Sequence, residues 1–574
     1  MELDLNNKEW QDALQIIRFT HRSLFLTGKA GTGKSTFLRY VAEHTKKKYV
    51  ILAPTGIAAI NAGGSTLHSF FRLPFHPLLP NDNRYNTRNI RKTLKYGSDH
   101  CRLLREVELI IIDEISMVRA DIIDFIDKVL RIYCRNMRTP FGGKQLLLVG
   151  DIYQLEPVVR DDDRQLLHPF YPSAYFFAAK VFREFSLVSI ELRKVYRQSD
   201  AAFINILDHI RDNTASQSDL AMLNSRVGTT LATRDNNLAI TLATRRDTVD
   251  YINEQRLNGI EGEPSVFMGE IKGEFPVTSL PTPMELHVKP GAQVIFIKND
   301  KDKRWVNGTL GVVSGIDEEQ NIISVVTEDG NEYDVCKEVW ENLRYTFNEK
   351  EQKIEEEQLG VYIQFPLRLA WAITVHKSQG LTFRQVNIDF TGGVFAGGQA
   401  YVALSRCTSL EGISLKEPIK RSDIFVKNEV LGFARQYNDS TRIDNALKES
   451  KADREYHDAV EAFERCDFDA FIDSFFKAIH SRYDIEKPAA KRLIRRKLGI
   501  ITRLQGEVQR LEEEKKRQKA LLKRLAAEYT LLGKECEAEK MFDAAKRNYM
   551  KALELYPDAH DARRRLNKLD GRKA

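Results

Sequence analysis

Cysteine is scarce in this 574-residue chain: six residues, at 101, 134, 336, 407, 466 and 536, with no Cys-x-x-Cys pair among them. Neither a disulfide framework nor a zinc site is indicated, and a reducing, intracellular setting is the simpler expectation. Apolar runs long enough to span a bilayer are missing, and the opening MELDLNNKEW is acidic and lacks the pattern of a secretory signal. A soluble cytoplasmic protein without a membrane partner is therefore expected, nucleoid-associated if the source is bacterial. An excess of charge of one sign is also lacking. The 87 basic and 81 acidic residues leave +6, which permits a polyanionic partner without demanding one. The remaining composition is ordinary, 42% apolar and 29% charged, over a length that suggests three or four domains.

Against this plain background lies LFLTGKAGTGKST, residues 24–36. Leu24–Leu26 reads as a buried strand, the chain breaks at Gly28, and a helix restarts after Lys34. Gly28, Gly33, Lys34 and Ser35 meet the G-x-x-x-x-G-K-[ST] spacing in the strand–loop–helix context that the pattern requires. Such a loop turns successive N–H groups onto a phosphate chain, and the helix N-terminus adds positive potential. The expected nucleotide set is Gly28, Gly31, Thr32, Gly33, Lys34, Ser35 and Thr36, with Lys34 reaching the β/γ-phosphates and Ser35 ligating Mg²⁺.

Other strand ends carry chemistry too. Glu108–Ile112 runs into Asp113-Glu114, which suit a Mg²⁺ partner and a water-activating base, respectively. Gln145–Val149 is followed by Gln154, a candidate γ-phosphate sensor. Leu187–Ile190 leads to Arg193, Lys194 and Arg197, where a basic residue facing the P-loop across a lobe interface would act as an arginine finger. Tyr49–Leu52 ends in Pro54-Thr55-Gly56, and the loop continues through Gly64, Thr66, His68 and Phe70, whose hydroxyls and aromatics could grip phosphates and stack bases. LAWAITVHKSQGLTF (369–383) offers a donor array at Thr374, His376, Lys377, Ser378 and Gln379 before Gly380, and 400–415 reads as an amphipathic helix delivering Arg406. At the N-terminus, Leu5–Phe19 reads as a short helix in which Trp10 or Gln11 meets an adenine base, or Trp10 simply packs on the core.

The organisation expected is α/β, with two parallel-sheet lobes. Lobe one covers 1–184, with a surface excursion at about 62–100. Lobe two covers 185–298 and 366–420, with candidate strands Leu187–Ile190, Leu238–Leu242, Gln293–Lys298 and Val386–Phe390. The acidic run Arg160–Arg164 reads as a linker. Alternating segments with turn signals Asn307-Gly308 and Asp329-Gly330 predict a small β-barrel insert at 299–365. From 421 to 574 the texture is charged helix. Leu504, Val508, Leu511, Leu522, Leu525, Tyr529 and Leu532 keep a heptad register interrupted by Lys515 and Gln518, which predicts a coiled coil or helical hairpin. Residues from Ala526 onward fit one tetratricopeptide unit, which must pack on neighbouring helices or on a protein partner. The basic run Lys487–Lys497 reads as a solvated face.

Seven blocks, FLTGKAGTGKST, APTGIAAINAGGSTLHSFF, IIIDEISM, FGGKQLLLVGDIYQLEPV, LRKVYRQSD, TVHKSQGLTF and YVALSRCTS, resemble the superfamily-one helicase motifs in family order. They are most similar to those of the PIF-type 5′-to-3′ DNA helicases, as is DFIDKVLRIYCRNMR at 124–138. The resemblance implies that Lys34, Ser35, Asp113 and Glu114 form the hydrolytic centre for ATP and Mg²⁺, that Gln154 senses the γ-phosphate, and that Arg197 and Arg406 are arginine fingers. It implies that the two lobes are RecA-like and that Gln379 and Gly380 line the nucleotide. It also implies that Pro54, Thr55, Gly64, Thr66, His68, Phe70, Thr374, His376 and Lys377 hold single-stranded DNA. Two departures stand out. Gln11 lies two residues before Ala13 with Trp10 at the place the family gives to glutamine, and Glu156 replaces a common proline. The implied activity is unwinding of tailed duplexes, forks, R-loops or G-quadruplexes in repair, recombination or telomere maintenance. The alternatives are the motor subunit of a larger nuclease or relaxase complex, and a nucleotide-gated protein-interaction module.

Overall fold

The structure, a computed structural model, describes residues 7–571 except 75, 186, 199, 232–237, 349–350, 352 and 483–487. Leu5, the expected start of the first helix, and Lys487 of the basic run lie outside the described residues. The chain divides into two units after Cys466.

Strands β1 (Leu24–Gly28), β2 (Tyr49–Ala53), β3 (Ser65–Thr66), β4 (Leu109–Ile112), β5 (Gln145–Val149) and β6 (Val188–Leu192) form one parallel sheet in the order β3-β2-β4-β5-β1-β6. Runs such as LIII and QLLLV do not alternate, because both faces of the sheet are covered. On one face sit α1 (Lys8–Phe19) and α2 (Lys34–His44), where Trp10 packs edge-on against Phe37 at 5.0 Å. Trp10 is thus a core residue, the second of the two readings offered for it. The other face takes the helix Ala120–Tyr133.

Lobe one is larger than expected. Val188–Leu192 pairs with β1 and closes the first sheet rather than opening the second, so the boundary moves past 184. The excursion is not merely superficial either. Leu73, Leu78, Tyr85 and Ile90 are buried in the lobe-one core, Tyr85 against Phe125 at 5.0 Å, and Asp121 accepts from the Leu78 amide. The acidic run is a helix, Asp161–Leu167, whose first turn carries Asp161, Asp162 and Asp163 at the positive end of the dipole.

Lobe two is a four-stranded parallel sheet ordered Ala372–Thr374, Ala239–Ala243, Gln385–Asp389, Ile413–Leu415. Gln293–Phe296, expected in it, instead joins the insert, because its neighbours are the antiparallel strands Leu310–Asp317 and Leu367–Leu369. The insert's main sheet has five antiparallel strands around Val294, Phe296, Val313, Ile323 and Phe365, and its edge strands Glu332–Val335 and Leu367–Leu369 share no ladder among the described residues. A long hairpin, Glu338–Asn348 with Lys353–Gln364, reaches back to lobe one. There the Ile51 amide donates to the Tyr345 hydroxyl at 3.3 Å, and Phe347 lies under the Lys48 ammonium and the Arg102 guanidinium.

The second unit is helical: Phe468–Arg482, Pro488–Ala538, Phe542–Leu555 and His560–Asp570. Ala526, Ala545, Tyr549 and Ala552, all tetratricopeptide positions or adjoining them, form its small core with Ala562 and Leu569. Arg492, Arg495 and Arg496 are exposed, as a solvated face requires, but Lys497 at the end of the run is buried.

Candidate active site

A cleft of about 410 Å³ is lined by the P-loop residues Ala30, Gly31, Thr32, Gly33, Lys34, Ser35 and Thr36, by Asp113 and Glu114, by Gly150 and Gln154, and by Arg197, Gly380, Thr382 and Arg406. Lobe one supplies the first groups from the carboxyl ends of β1, β4 and β5, where loops of an open parallel sheet converge. Lys34 Nζ donates to the carbonyls of Gly28 (2.6 Å) and Lys29 (2.9 Å). Burial pushes its pKa down, and the carboxylates of Asp151 and Glu114 oppose that shift.

Glu114 stands at φ 49°, ψ 43°, a left-handed conformation that a side chain of its kind rarely adopts, just beyond the end of β4. Burial and the neighbouring Asp113 push its carboxyl up to about 7. The Asp113 carboxyl is likewise raised by burial, against a hydrogen bond from the Glu114 amide (2.9 Å) and the Lys34 charge. Ser35 and Asp113 offer a hydroxyl and a carboxylate to the same cleft, a hard-oxygen donor pair that fits Mg²⁺ when nucleotide phosphates complete the shell.

Arg197 does not come from lobe two's own framework. It sits on the segment leaving β6, which is pinned to the P-loop by a hydrogen bond from the Tyr196 amide to the Gly31 carbonyl (2.9 Å). The approach is so close that a Cβ on Gly31 would stand 2.4 Å from Arg197 Cβ, and Gly31 is itself left-handed at φ 81°. Arg406 follows the helix Gln399–Leu404, which is buried on every side rather than amphipathic. Its guanidinium donates to the carbonyls of Val402, Ser378 and Leu381. Burial and the facing Arg197 push Arg406 down to about 9, and burial lowers Arg197 as well. Neither is ion-paired with a carboxylate among the described residues, so both guanidiniums present positive charge to the cleft.

Three residues that sequence reasoning missed complete the surroundings. The Tyr401 hydroxyl accepts from the Ala30 amide at 3.1 Å, joining lobe two to the P-loop. Thr382 lines the cleft. Arg211, last residue of the helix Ala201–Arg211, donates to Asp151 (3.2 Å) and pairs with Glu191 (3.0 Å), with its guanidinium 4.2 Å from the Tyr153 ring centroid. Asp151 also accepts from Gln154 Nε2 at 3.4 Å. Nothing in the sequence marks Arg211, because its carboxylate partners lie on other elements.

The residues expected to hold DNA divide. Thr55 and Thr66 end β2 and follow the turn at Gly63-Gly64, and their hydroxyls cap short helices by accepting from the Ala58 and Ser69 amides. Gly64 serves packing: a Cβ there would stand 2.2 Å from the Ile51 carbonyl oxygen. Phe70 is only 4% exposed, wedged between Phe71, His100 and Tyr345, and has no face left for a base. Pro54 and His68 are half-buried, the latter with its pKa lowered by burial and by Arg119. Thr374 accepts from the Lys377 amide. His376 is lowered by burial, and Lys377 is pushed down to about 8 by burial and by Arg368 and Arg246. Gln379, expected on the nucleotide, instead lines a neighbouring cavity with Lys377, Arg368, Ile57 and Asn61, because the chain turns between it and the left-handed Gly380.

A family model described as PIF1-like helicase matches residues 6–221. The ATP-dependent DNA helicase PIF1 of Homo sapiens is 35% identical over 410 residues, covering 68% of this chain and 58% of that protein. The chain thus spans a little under three fifths of that relative's length. The ATP-dependent DNA helicase Pif1 of Bdellovibrio bacteriovorus is 33% identical over 445 residues, covering 76% of this chain and 93% of the relative. Among solved structures, Bacteroides Pif1 in complex with ADP-AlF4 is 39% identical, with 76% and 97% coverage and a TM-score of 0.69. Bacteroides Pif1 bound to single-stranded DNA matches at 39% identity, 77% and 98% coverage and a TM-score of 0.56. With a third or more of the residues identical along nearly the whole of the two bacterial proteins, this chain belongs to the PIF1-like helicase family.

Proposed function

We propose that the chain is an ATP-dependent DNA helicase that hydrolyses ATP between its lobes and moves 5′ to 3′ along single-stranded DNA. The observation that carries this reading is the convergence of Lys34, Glu114, Gln154, Arg197 and Arg406 on one cleft between two parallel-sheet lobes. Phosphoryl transfer needs little covalent help; it needs positioning and charge stabilisation. Lys34 binds the β/γ-phosphates, and Gln154 orients the attacking water. Glu114, poised near neutrality by burial, accepts the water's proton. Arg197 and Arg406 meet the charge on the transferring group, an effect worth about 10³–10⁵ in rate. Ser35 and Asp113 would hold Mg²⁺, which would supply positive charge against that of the nucleotide phosphates.

Because Arg197 rides on the segment between lobes and Arg406 and Tyr401 belong to lobe two, γ-phosphate binding draws the lobes together and its loss releases them. Thr55, Thr66 and His68 from lobe one, and Thr374, His376, Lys377 and Arg368 from lobe two, form the DNA-facing set. Alternate closing and opening then advances one lobe past the other. The substrates are single-stranded and tailed duplex DNA, including forks, R-loops and G-quadruplexes. The protein acts in the cytoplasm, on the nucleoid if the source is bacterial, and the helical C-terminal unit contacts a protein.

The test is ATP hydrolysis with and without single-stranded oligonucleotide for wild type and Lys34→Ala, followed by unwinding of 5′- and 3′-tailed duplexes. Strong stimulation abolished by Lys34→Ala, with unwinding from the 5′ tail alone, is expected. Hydrolysis indifferent to DNA would refute the helicase reading, and unwinding from the 3′ tail would reverse the polarity.

A further inference from the structure

The helix Pro488–Ala538 lies outside the catalytic lobes and carries an apolar row that its own unit leaves in solvent. Val508, Leu511 and Leu522 are 55, 64 and 39% exposed, and Leu525 is half-buried. Their spacing puts Val508 and Leu522 at heptad position a, and Leu511 and Leu525 at d, with Lys515 (a) and Gln518 (d) between them. A merely solvated helix has no reason to keep leucine and valine at seam positions. The row is also symmetric about its own centre: reading outward from Lys516 and Arg517 in either direction gives one polar seam residue and then two apolar ones.

We propose that this row is a homodimer interface in which the helices of two copies run antiparallel about a two-fold axis between Lys516 and Arg517. In an antiparallel pair a packs against d of the other copy. Leu511 then meets Leu522 of the second copy, Val508 meets Leu525, and Lys515 meets Gln518, whose amide oxygen accepts from the ammonium. Each contact occurs twice, so the patch is self-complementary and closed, as an isologous interface must be. At the flanks Glu512 and Lys519, both at e, pair across the axis twice; Glu507 and Glu528, both at g, oppose each other farther out, where Arg524 already pairs with Glu528 on its own helix. A parallel pair would instead stack Lys515 on Lys515 in the seam and set Glu507 against Glu512, with only Glu514 against Lys519 in its favour. The occupant is therefore a second copy of this chain, antiparallel and in this one register.

The experiment is sedimentation velocity of the full chain without DNA across the micromolar range, with ATP hydrolysis as the check that each variant is folded. Wild type should be a concentration-dependent dimer, and Leu511→Asp a monomer with unchanged hydrolysis. Glu512→Lys should weaken the dimer about tenfold, by turning two attractive pairs into two repulsive ones. Adding Lys519→Glu should restore it. In a parallel pair Glu512→Lys would face Glu507 and tighten association. A monomeric wild type, a dimer that survives Leu511→Asp, or tightening by Glu512→Lys would each overturn the proposal, whether or not the protein unwinds DNA.

Discussion

Arg211 offers the sharpest test of how the lobes communicate. Its helix packs Phe203, Ile206, Leu207 and Ile210 into the lobe-two core, yet its guanidinium lies on two lobe-one carboxylates, Asp151 at 3.2 Å and Glu191 at 3.0 Å. Burial opposes its charge, but Asp151, the Tyr401 phenol and Glu191 more than offset that and hold it firmly protonated. Replacing it by leucine leaves Asp151, whose side chain is fully buried, without its cation. Removing one member of a buried pair costs about 3–5 kcal/mol. At 1.36 kcal/mol per decade that is a factor of about 10²–10⁴ in the local equilibrium. Because Asp151 also accepts from Gln154, the loss reaches the loop that carries Gln154 into the cleft. Arg211→Leu should lower the urea midpoint and cut kcat for DNA-stimulated hydrolysis at least about tenfold, leaving KM for ATP nearly unchanged. Arg211→Lys should fall between, since an ammonium keeps the charge but loses the planar fork that spans two carboxylates over Tyr153. Equal midpoints and rates for wild type and Arg211→Leu would refute the reasoning.

Gly31→Ala places a methyl 2.4 Å from Arg197 Cβ on a left-handed backbone; the Arg197 segment must lift away, and hydrolysis should fall on the order of 10³-fold while a fluorescent ADP analogue still binds. Phe70→Ala should cost about 3–5 kcal/mol of stability, as for a buried aromatic, while the folded fraction keeps its affinity for single-stranded DNA; an affinity loss at full stability would return Phe70 to the DNA face. Lys377, pushed down to about 8 in the free protein, is recharged by a phosphate. DNA binding therefore takes up a proton, and affinity measured by fluorescence anisotropy should fall as pH rises from 7 to 9. Lys377→Arg should flatten that profile.

The motif chemistry was legible because it is local: Lys34, Asp113, Glu114 and Gln154 each follow a buried strand, and strand ends are visible in a sequence. Pairing partners are not. Leu187–Ile190 and Gln293–Lys298 read correctly as strands, but whether they join the first sheet, the second or the insert is decided by neighbours far away in the chain. Phe70 misled for the same reason, since the ring that covers it belongs to Tyr345 on a hairpin from the insert. Gln379 and Gly380 are adjacent, yet a turn sends them to different cavities. Arg211 and Tyr401 sit on helices whose apolar neighbours give no sign of a charge or hydroxyl at work.

The hairpin of Glu338–Asn348 and Lys353–Gln364 bears on how the lobes can move. Lobe one and the second-lobe assembly are joined covalently through the segment after β6 and again where the chain returns to bury Val430 in the lobe-one core, and without a covalent link where Tyr345 and Phe347 settle beside Ile51 and Lys48. Two rigid bodies hinged at one point can swing about three axes, and each further fastening removes part of that freedom. While the hairpin holds, any opening of the cleft must either pivot about it or break it.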